Sequence, residues 1–575
     1  MEPENQEKSA FSSSTTTKKK TISRKWLKRI GLVLLISLLL LVLFLLGFSY
    51  YIDHYCLSQP PAYQPSPKVL KQQVKRNGKR RKIGTSWFFY EKGLHRMYLE
   101  GSSFEMGYYH AKLTQDLLKE QEKIFLDKIH EYVPSSFFLW LLRKYVTWHN
   151  RNLNNFVPLN LKIEILGLSM GQPNFYPELG PLYNRILNYH AAHDISHLVM
   201  DTPLVGCTSF AAWGKATQNG HLLLARNFDF NLLDTFDQNK VVTLFRPKKG
   251  YAFLSVGWAG MIGVVSGINE KKIAVTVNGA QSEDHKGIGT PVSLLVRQVL
   301  QQASTLDEAV SIIQKAKVFV SDLYLIADGK IPRALVVEKT PSRSSVWEVK
   351  GDYLVSANHF LSPTLKNDRR NLAYKKEGTS SLRFQRMKHL VKKYYSSLTP
   401  QKAAEILRDR WLEPLQKETF LNPGALNSMI ATHSVIMDVT EGILWVSKGP
   451  HQMGSYVPFS IDSFDHPIQS LVIPPDPLFQ DQKRFAQIQK AKKLLHRSRL
   501  LIRDNRKDQA IPLLKQAYKL DSTCYLGPYL LGRIFMEKKE YPKALKWLQI
   551  CQSLYPPFDS ERKQISTWLS ELKKL

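Results

Sequence analysis

The sequence predicts an α+β protein, carried behind one membrane helix and followed by an all-helical module. Three observations lead there. Residues 207–470 alternate short β-branched and aromatic runs with amphipathic helical patterns, in the order sheet, helix pair, sheet. Ile30 to Ile52 is an almost wholly apolar run without a charge, long enough to span a bilayer. From Phe485 to the end the pattern is helical and repeats.

At 575 residues the chain exceeds one ordinary core, so several domains are expected. Its formal net charge of +31 comes from 80 Lys and Arg against 49 Asp and Glu. Such a balance favours anionic partners, lipid headgroups among them. No nucleic-acid module is recognisable and the basic residues are spread over linkers and helices, so a nucleic-acid partner is not expected. The four cysteines (Cys56, Cys207, Cys524 and Cys551) are too scattered for a disulfide framework and form no CxxC pair. Neither a metal nor a cofactor is expected. Cys524 and Cys551 sit on helical patterns and read as core thiols, whereas Cys207 has polar company.

Residues 1–29 read as a disordered tail that turns basic at Lys18-Lys-Lys20. Residues 30–52 read as an uncleaved transmembrane helix. A signal peptide would be shorter and end in small residues, whereas this run ends in Ser49-Tyr-Tyr-Ile-Asp-His54. The preceding basic cluster predicts a single-pass protein, with its N-terminus cytoplasmic and the bulk of the chain, residues 207–470 included, extracytoplasmic. Residues 53–82 read as a basic linker. Lys68 to Lys82 holds eight basic residues and no acidic one, suited to anionic headgroups or to plain solvation. Residues 83–206 read as a helical segment, with helices at Phe104–Lys128, Pro134–Asn150 and Leu161–Gly171. His190, His193 and His197 would share one helix face. Without an HExxH glutamate they read as structural rather than metal-binding.

Within 207–470, Cys207 opens a strand and Asn219-Gly220 signals a hairpin turn. The returning strand delivers Arg226 and Asp229 beside the thiol. Further strands are expected at 241–245, 251–256, 263–266, 272–277, 323–327, 334–338 and 353–356, and a last hairpin at 433–447. Helices are expected at 291–302, 306–316, 382–395 and 400–408. In residues 485–575, Ala510, Leu514, Ala517 and Leu520 recur 34 residues later as Ala544, Leu548, Cys551 and Leu554. That period resembles tetratricopeptide (TPR) repeats, a surface for a protein partner.

A thiol attacks carbonyls as the thiolate and needs a base. No papain-like histidine signature accompanies Cys207. Cutting the Gly206–Cys207 bond would create one, because the freed α-amine titrates near neutrality on the nucleophile's own residue. Gly206, lacking Cβ, lets the backbone adopt a strained approach to that cut. This is the logic of N-terminal nucleophile hydrolases.

Cys207-Thr-Ser-Phe-Ala-Ala-Trp-Gly214, followed by Asn219-Gly and Arg226-Asn-Phe-Asp229, resembles the opening of the autoproteolytic choloylglycine hydrolase and penicillin acyltransferase family. Further matches follow in family order: Gly267-Ile-Asn-Glu270 with Val275-Thr-Val-Asn278, Ser356-Ala-Asn-His-Phe360, and Ser380-Ser-Leu-Arg-Phe384. Upstream, Glu105-Met-Gly-Tyr-Tyr-His-Ala-Lys112 and Glu164-Ile-Leu-Gly-Leu-Ser-Met-Gly171 resemble pro-segment features of the acyltransferase branch. The resemblance covers about residues 95–450. It implies an αββα sandwich and cleavage between Gly206 and Cys207. Cys207 would be the nucleophile and its amine the base. Asp229 would orient the amine, Arg226 would tune the thiol, Asn278 would donate to the oxyanion, Asn358 would position the amine or carbonyl, and Arg383 is the late arginine. The implied reaction is hydrolysis or transfer at an acyl amide through a thioester, with a small amphipathic or lipid-like substrate. Two other readings stand beside it: a lipid acyl hydrolase of phospholipase B or ceramidase type, and a non-catalytic membrane scaffold acting through the repeats.

Overall fold

The computed structural model describes residues 24–574, apart from 92, 200–205, 230–233, 285–286 and 467. Most of the expected N-terminal tail, residues 1–23, lies outside the described residues, and so do Val205 and the side chain of His197. Arg24–Tyr55 is one helix, so the basic end of that tail is helical. Its Lys28–Tyr55 part is long and apolar enough to cross a membrane.

Nineteen strands are described in chain order. Upstream of Cys207 lie β1 (Lys75–Asn77), β2 (Arg80–Ile83), β3 (Ser86–Glu91) and β4 (Leu94–Gly101). After it come β5 (Thr208–Gly214), β6 (Gly220–Asp229), β7 (Val241–Pro247), β8 (Phe253–Gly257), β9 (Ser266–Asn269) and β10 (Ile273–Gly279). Then follow β11 (Asp322–Asp328), β12 (Arg333–Lys339), β13 (Ser344–Trp347) and β14 (Tyr353–Ser356). Last are β15 (Trp411–Leu412), β16 (Lys417–Glu418), β17 (Ala431–Asp438), β18 (Ile443–Ser447) and β19 (Tyr456–Ser460). An eleven-stranded sheet runs β1-β2-β3-β4-β7-β8-β9-β10-β11-β12-β13, and a six-stranded sheet runs β14-β5-β6-β17-β18-β19. Neighbours pair antiparallel, except that β4 runs parallel to β7.

The strand period of two explains how the sheets stack. On β6, Leu222 and Leu224 face the larger sheet, meeting Val242, Leu254 and Leu325. Leu223 and Ala225 face the other way, onto the helices Ser380–Lys393 and Pro400–Leu407. The outer face of the larger sheet is covered by Val292–Gln302 and Leu306–Lys315 through Leu295, Val299, Ala309 and Ile313. The order is therefore helix, sheet, sheet, helix.

Four regions differ from the sequence reading. The basic stretch read as linker contributes the β1–β2 hairpin, whose short strands carry exposed Lys and Arg that suit a sheet edge. The region read as helical contributes β3 and β4, where Trp87, Phe88, Met97 and Leu99 are buried. The strand expected at 263–266 is shifted to β9, since Val264 hydrogen-bonds to the Val292–Gln302 helix through Ser293 instead of to a strand. The turn between β5 and β6 is a five-residue loop, not a tight Asn-Gly turn. Gly214 and Gly220 take the positive φ values, +55° and +78°, that only glycine adopts freely.

The upstream glycines have a packing reason. The helices Ser103–Tyr132 and Leu159–Met170 cross so closely that a Cβ on Gly107 would lie 1.9 Å from the Glu164 carbonyl oxygen. One on Gly167 would lie 2.3 Å from that of Phe104. The histidine stretch is not one helix: Leu182–His190 ends before Ala191, and Ala192–Val199 follows. Among the described residues no group of three or more His, Cys, Asp or Glu is placed to hold a metal. At the C-terminus the helices Gln482–Arg503, Lys507–Leu520, Leu526–Glu537, Tyr541–Ser553 and Asp559–Leu572 each pack on the next. They dock on the sandwich where Phe420, Met429 and Met453 meet Ile488.

Candidate functional site

The same strand period sets the site. On β5, odd residues face the larger sheet and even residues face the helices. Cys207, just ahead of β5, and Ser209 therefore point between the sheets, and Thr208 points to the Ser380–Lys393 helix. Ser209 pairs with Arg226 of β6 on one side and with Ser356 of β14 on the other. Arg226 continues the inward face of Leu222 and Leu224.

The Cys207 thiol is fully buried. Arg226 Nη2 donates to its Sγ at 3.5 Å and also to the Val277 carbonyl. Arg226 Nη1 donates to the Val265 carbonyl and to Ser266 Oγ, both at 2.7 Å. From the helix side, Arg383 Nη1 donates to the Cys207 carbonyl and to Thr208 Oγ1, each at 2.6 Å. Arg383 Nη2 donates to Asn358 Oδ1 at 2.8 Å. Asn358 is fixed in turn: its Nδ2 donates to the Gly279 carbonyl, and its N–H donates to Ser380 Oγ. The Gly206 N–H donates to the Asp229 carbonyl at 3.1 Å. A Cβ on Gly206 would stand 3.6 Å from Asp229 Oδ2 and 3.8 Å from the Arg383 guanidinium carbon.

Five of the six residues singled out in the sequence thus gather at the Gly206–Cys207 bond: Cys207, Arg226, Asp229, Asn358 and Arg383. The sixth, Asn278, lies one step along the inter-sheet row. Its Nδ2 donates to Ser209 Oγ at 2.9 Å and faces Ser356, so its amide is engaged with hydroxyls rather than with the thiol.

Burial pushes the Cys207 thiol above its usual range; the Arg226 guanidinium opposes that and the Asp229 carboxyl adds to it. Burial also pushes Asp229 up to about 7, against the pull of Arg383 and Arg226. With the peptide bond intact, the thiol is protonated and enclosed. The arrangement places a thiol, a carboxyl that titrates near neutrality, and two guanidinium groups that can balance negative charge on either side of one peptide bond.

Further residues complete the site. Ser209 and Ser356 engage Asn278, Thr208 receives Arg383, and Ser380 holds both Asn358 and His359 Nδ1. His433 stacks on Phe228 with ring centroids 5.0 Å apart, and its Nε2 meets Ser266 Oγ at 3.0 Å. Burial keeps His433 neutral, well below its usual pKa, and the charge of Arg226 acts in the same direction. Sequence reading missed these groups. Parity with Cys207 marks Ser209, but nothing in a lone sequence brings His433 to Arg226 from so far along the chain.

Residues 216–445 match the family model described as acyl-coenzyme A:6-aminopenicillanic acid acyl-transferase. The match includes Arg226, Asp229, Asn278, Asn358 and Arg383 and begins after Cys207. An uncharacterized protein of Archaeoglobus fulgidus is 27% identical over 356 residues, 55% of this chain and 58% of that protein. The N-acylethanolamine-hydrolyzing acid amidase of Caenorhabditis elegans is 22% identical over 268 residues, 44% of this chain and 71% of that protein. The solved structure of a Caenorhabditis elegans N-acylethanolamine-hydrolyzing acid amidase ortholog aligns at 17% identity with a TM-score of 0.31, covering 41% of this chain and 93% of that one. The chain spans 58% and 44% of the lengths of the first two curated relatives it matches. Its similarity lies with proteins described as an acyl-transferase and as an acyl-amide hydrolase, and the family-model match falls in the central part of the sequence.

Proposed function

We propose that the chain is a membrane-anchored cysteine hydrolase or acyltransferase that cuts itself between Gly206 and Cys207 and then acts on an acyl amide. The observation that carries this reading is the grip on Cys207 from both faces: Arg226 on its sulfur, and Arg383 on its carbonyl. In self-cleavage the Cys207 sulfur attacks the Gly206 carbonyl carbon and its proton leaves to Asp229. The C–N bond breaks, and the Cys207 nitrogen takes the proton back. Water then opens the Gly206 thioester to a carboxylate and a free thiol. In turnover the new α-amine takes the thiol proton and the sulfur forms a thioester with the substrate's acyl group. The amine leaving group departs protonated, and water or a second amine receives the acyl group. Asn278 would turn from Ser209 to serve the oxyanion.

The substrate class we favour is a lipid-like acyl amide. The apolar N-terminal helix supports it, and so does the relative named as hydrolysing N-acylethanolamines. In this reading the helix spans the membrane with its N-terminus in the cytoplasm and the sandwich outside. The C-terminal helices act as TPR-like repeats that take a protein partner. Supporting the repeat reading, Ala510 and Ala544 are equally buried, and Gly532 leaves room for Leu548. The test is intact mass of the purified full chain together with release of amine from an N-acyl lipid amide. Fragments 1–206 and 207–575 are expected, and Cys207→Ala leaves one inert chain. An uncut chain that still hydrolyses the amide would overturn self-cleavage alone. An uncut, inert wild type whose Cys207 resists thiol reagents would overturn the enzyme reading.

A further inference from the structure

The helix Ser136–His149, with sequence Ser-Phe-Phe-Leu-Trp-Leu-Leu-Arg-Lys-Tyr-Val-Thr-Trp-His, is packed inside out. Its only buried residue is Lys144. Phe137, Phe138, Tyr145 and Trp148 are exposed, at 52%, 59%, 43% and 38%, and Trp140 is half-exposed. The rings sit against one another instead of against a core: Phe137 stacks on Trp140 at 5.9 Å, and Tyr145 lies 6.2 Å from Trp148. The helix carries no acidic residue. A segment this apolar, with its apolar side uncovered, is unfavourable in water.

Its neighbour says what covers it. Lys144 reaches the far end of the apolar N-terminal helix, where its Nζ meets Asp53 Oδ2 at 2.5 Å. That end is ringed by exposed Tyr50, Tyr51 and Tyr55. Tyrosines at the end of an apolar span mark the boundary between hydrocarbon and headgroups. The aromatic helix is therefore held at that depth. The buried Lys144 ammonium is neutralised there by Asp53.

We propose that Ser136–His149 lies in the plane of the bilayer that Lys28–Tyr55 crosses, with Phe137, Phe138, Trp140, Tyr145 and Trp148 in the zone between acyl chains and headgroups. The occupant of this face is the lipid surface itself. The protein then has two membrane contacts, one spanning and one interfacial, and the second fixes which side of the folded body faces lipid. This inference rests on the reading of Lys28–Tyr55 as a membrane span but not on the hydrolase reading, because its readout is lipid contact and not activity.

The test places a photoreactive p-benzoylphenylalanine at position 137 or 138 of the full chain, reconstituted in phosphatidylcholine vesicles that contain an alkyne-tagged phosphatidylcholine. The control carries the same group at Ile331, a 72% exposed turn residue on the folded body. The expected result is tagged-lipid adduct at 137 and 138 several-fold above that at 331, with unchanged melting in all three variants. Equal labelling at the three sites overturns the proposal. So does a protein adduct in place of lipid at 138, since that face would then be a protein interface. If benzoyl substitution lowers melting, a nitrobenzoxadiazole dye on Phe138→Cys and on Ile331→Cys gives the same comparison: a blue shift at 138 alone supports lipid contact, and matching spectra overturn it.

Discussion

Two buried arginines, Arg226 and Arg297, show how the same group is placed for the chemistry proposed at Cys207 in one region and for architecture in another. Both have no exposed surface. Arg297 has a carboxylate of its own, with Nη1 and Nη2 gripping the two oxygens of Glu164 at 3.3 and 3.1 Å. Its remaining bonds go to Gln301 and the Ile262 carbonyl, and the rings of Phe245 and Phe253 lie 4.4 and 4.7 Å from it. Arg226 has no carboxylate among its hydrogen-bond partners in the described residues; they are two carbonyls, a hydroxyl and a thiol, and its Nε has no partner. A saturated pair is inert. A buried cation facing a thiol and a carboxyl that titrates near neutrality is a charge held ready for a negative group that has yet to form. Position matters as well. Glu164 lies upstream of the proposed cut and Arg297 downstream, and the parallel β4–β7 pairing crosses it too. Once cut, the two pieces would remain one body.

The largest expected effect breaks the architectural pair. Glu164→Leu strands the Arg297 charge and should cost about 3–5 kcal/mol of unfolding free energy, measured by denaturant titration in detergent. Adding Arg297→Met to the same chain should restore most of it. A single variant that melts with the wild type would mean that Glu164 and Arg297 are not a charged pair.

The next effect sharpens the proposed catalytic region. Asp229 holds its proton in the folded chain up to about 7, whereas unfolded it ionises near the ordinary value of 3.8. Between those values the unfolded state binds fewer protons than the folded one, so this carboxyl's contribution to stability falls as pH rises toward 7. On a Cys207→Ala background, which keeps the chain uncut, adding Asp229→Asn removes the dependence. The stability of the Cys207→Ala chain relative to that double variant should fall by at most about 1.4 kcal/mol per pH unit across that window and stay level above it. The opposite slope, loss on acidification below pH 5, would show Asp229 ionised and paired with Arg383.

The centre of the site was legible because strand parity is legible. Once Cys207 opens a strand and Arg226 sits on the returning one, period two puts both between the sheets. What failed to show is long-range or rests on absence of a pattern. Val74 to Gly101 is basic at its start and aromatic later, without clean alternation, because its early strands form a solvated edge while Trp87 and Phe88 are both buried. Gly107 and Gly167 fall in the two upstream motif segments, but only the helix crossing shows why Cβ is forbidden there. Asn278 lies one residue past the expected strand 272–277, within β10, and its amide turns to Ser209, a choice set by how the sheet of β10 stacks on that of β5 and β14, which no single stretch encodes.

The smallest effect tests the arginine that sequence could least distinguish. Arg383 and Arg386 lie three residues apart on Ser380–Lys393, under one helical turn, so they project to nearby but different faces. Arg383 turns inward, 1% exposed, onto Cys207, Thr208 and Asn358. Arg386 turns to the surface side and forks onto Asp409, with both bonds at 2.8 Å, while Glu413 lies 3.2 Å away. Surface ion pairs contribute about 0.2–1 kcal/mol, and the largely covered, bidentate geometry places this one toward the upper end. Arg386→Gln should therefore lower stability by about 1 kcal/mol or less and leave fragment formation unchanged, whereas Arg383→Gln leaves the chain uncut although folded. If Arg386→Gln also blocks cleavage, the helix acts on Cys207 as a whole through its placement, and the assignment of that role to Arg383 alone fails.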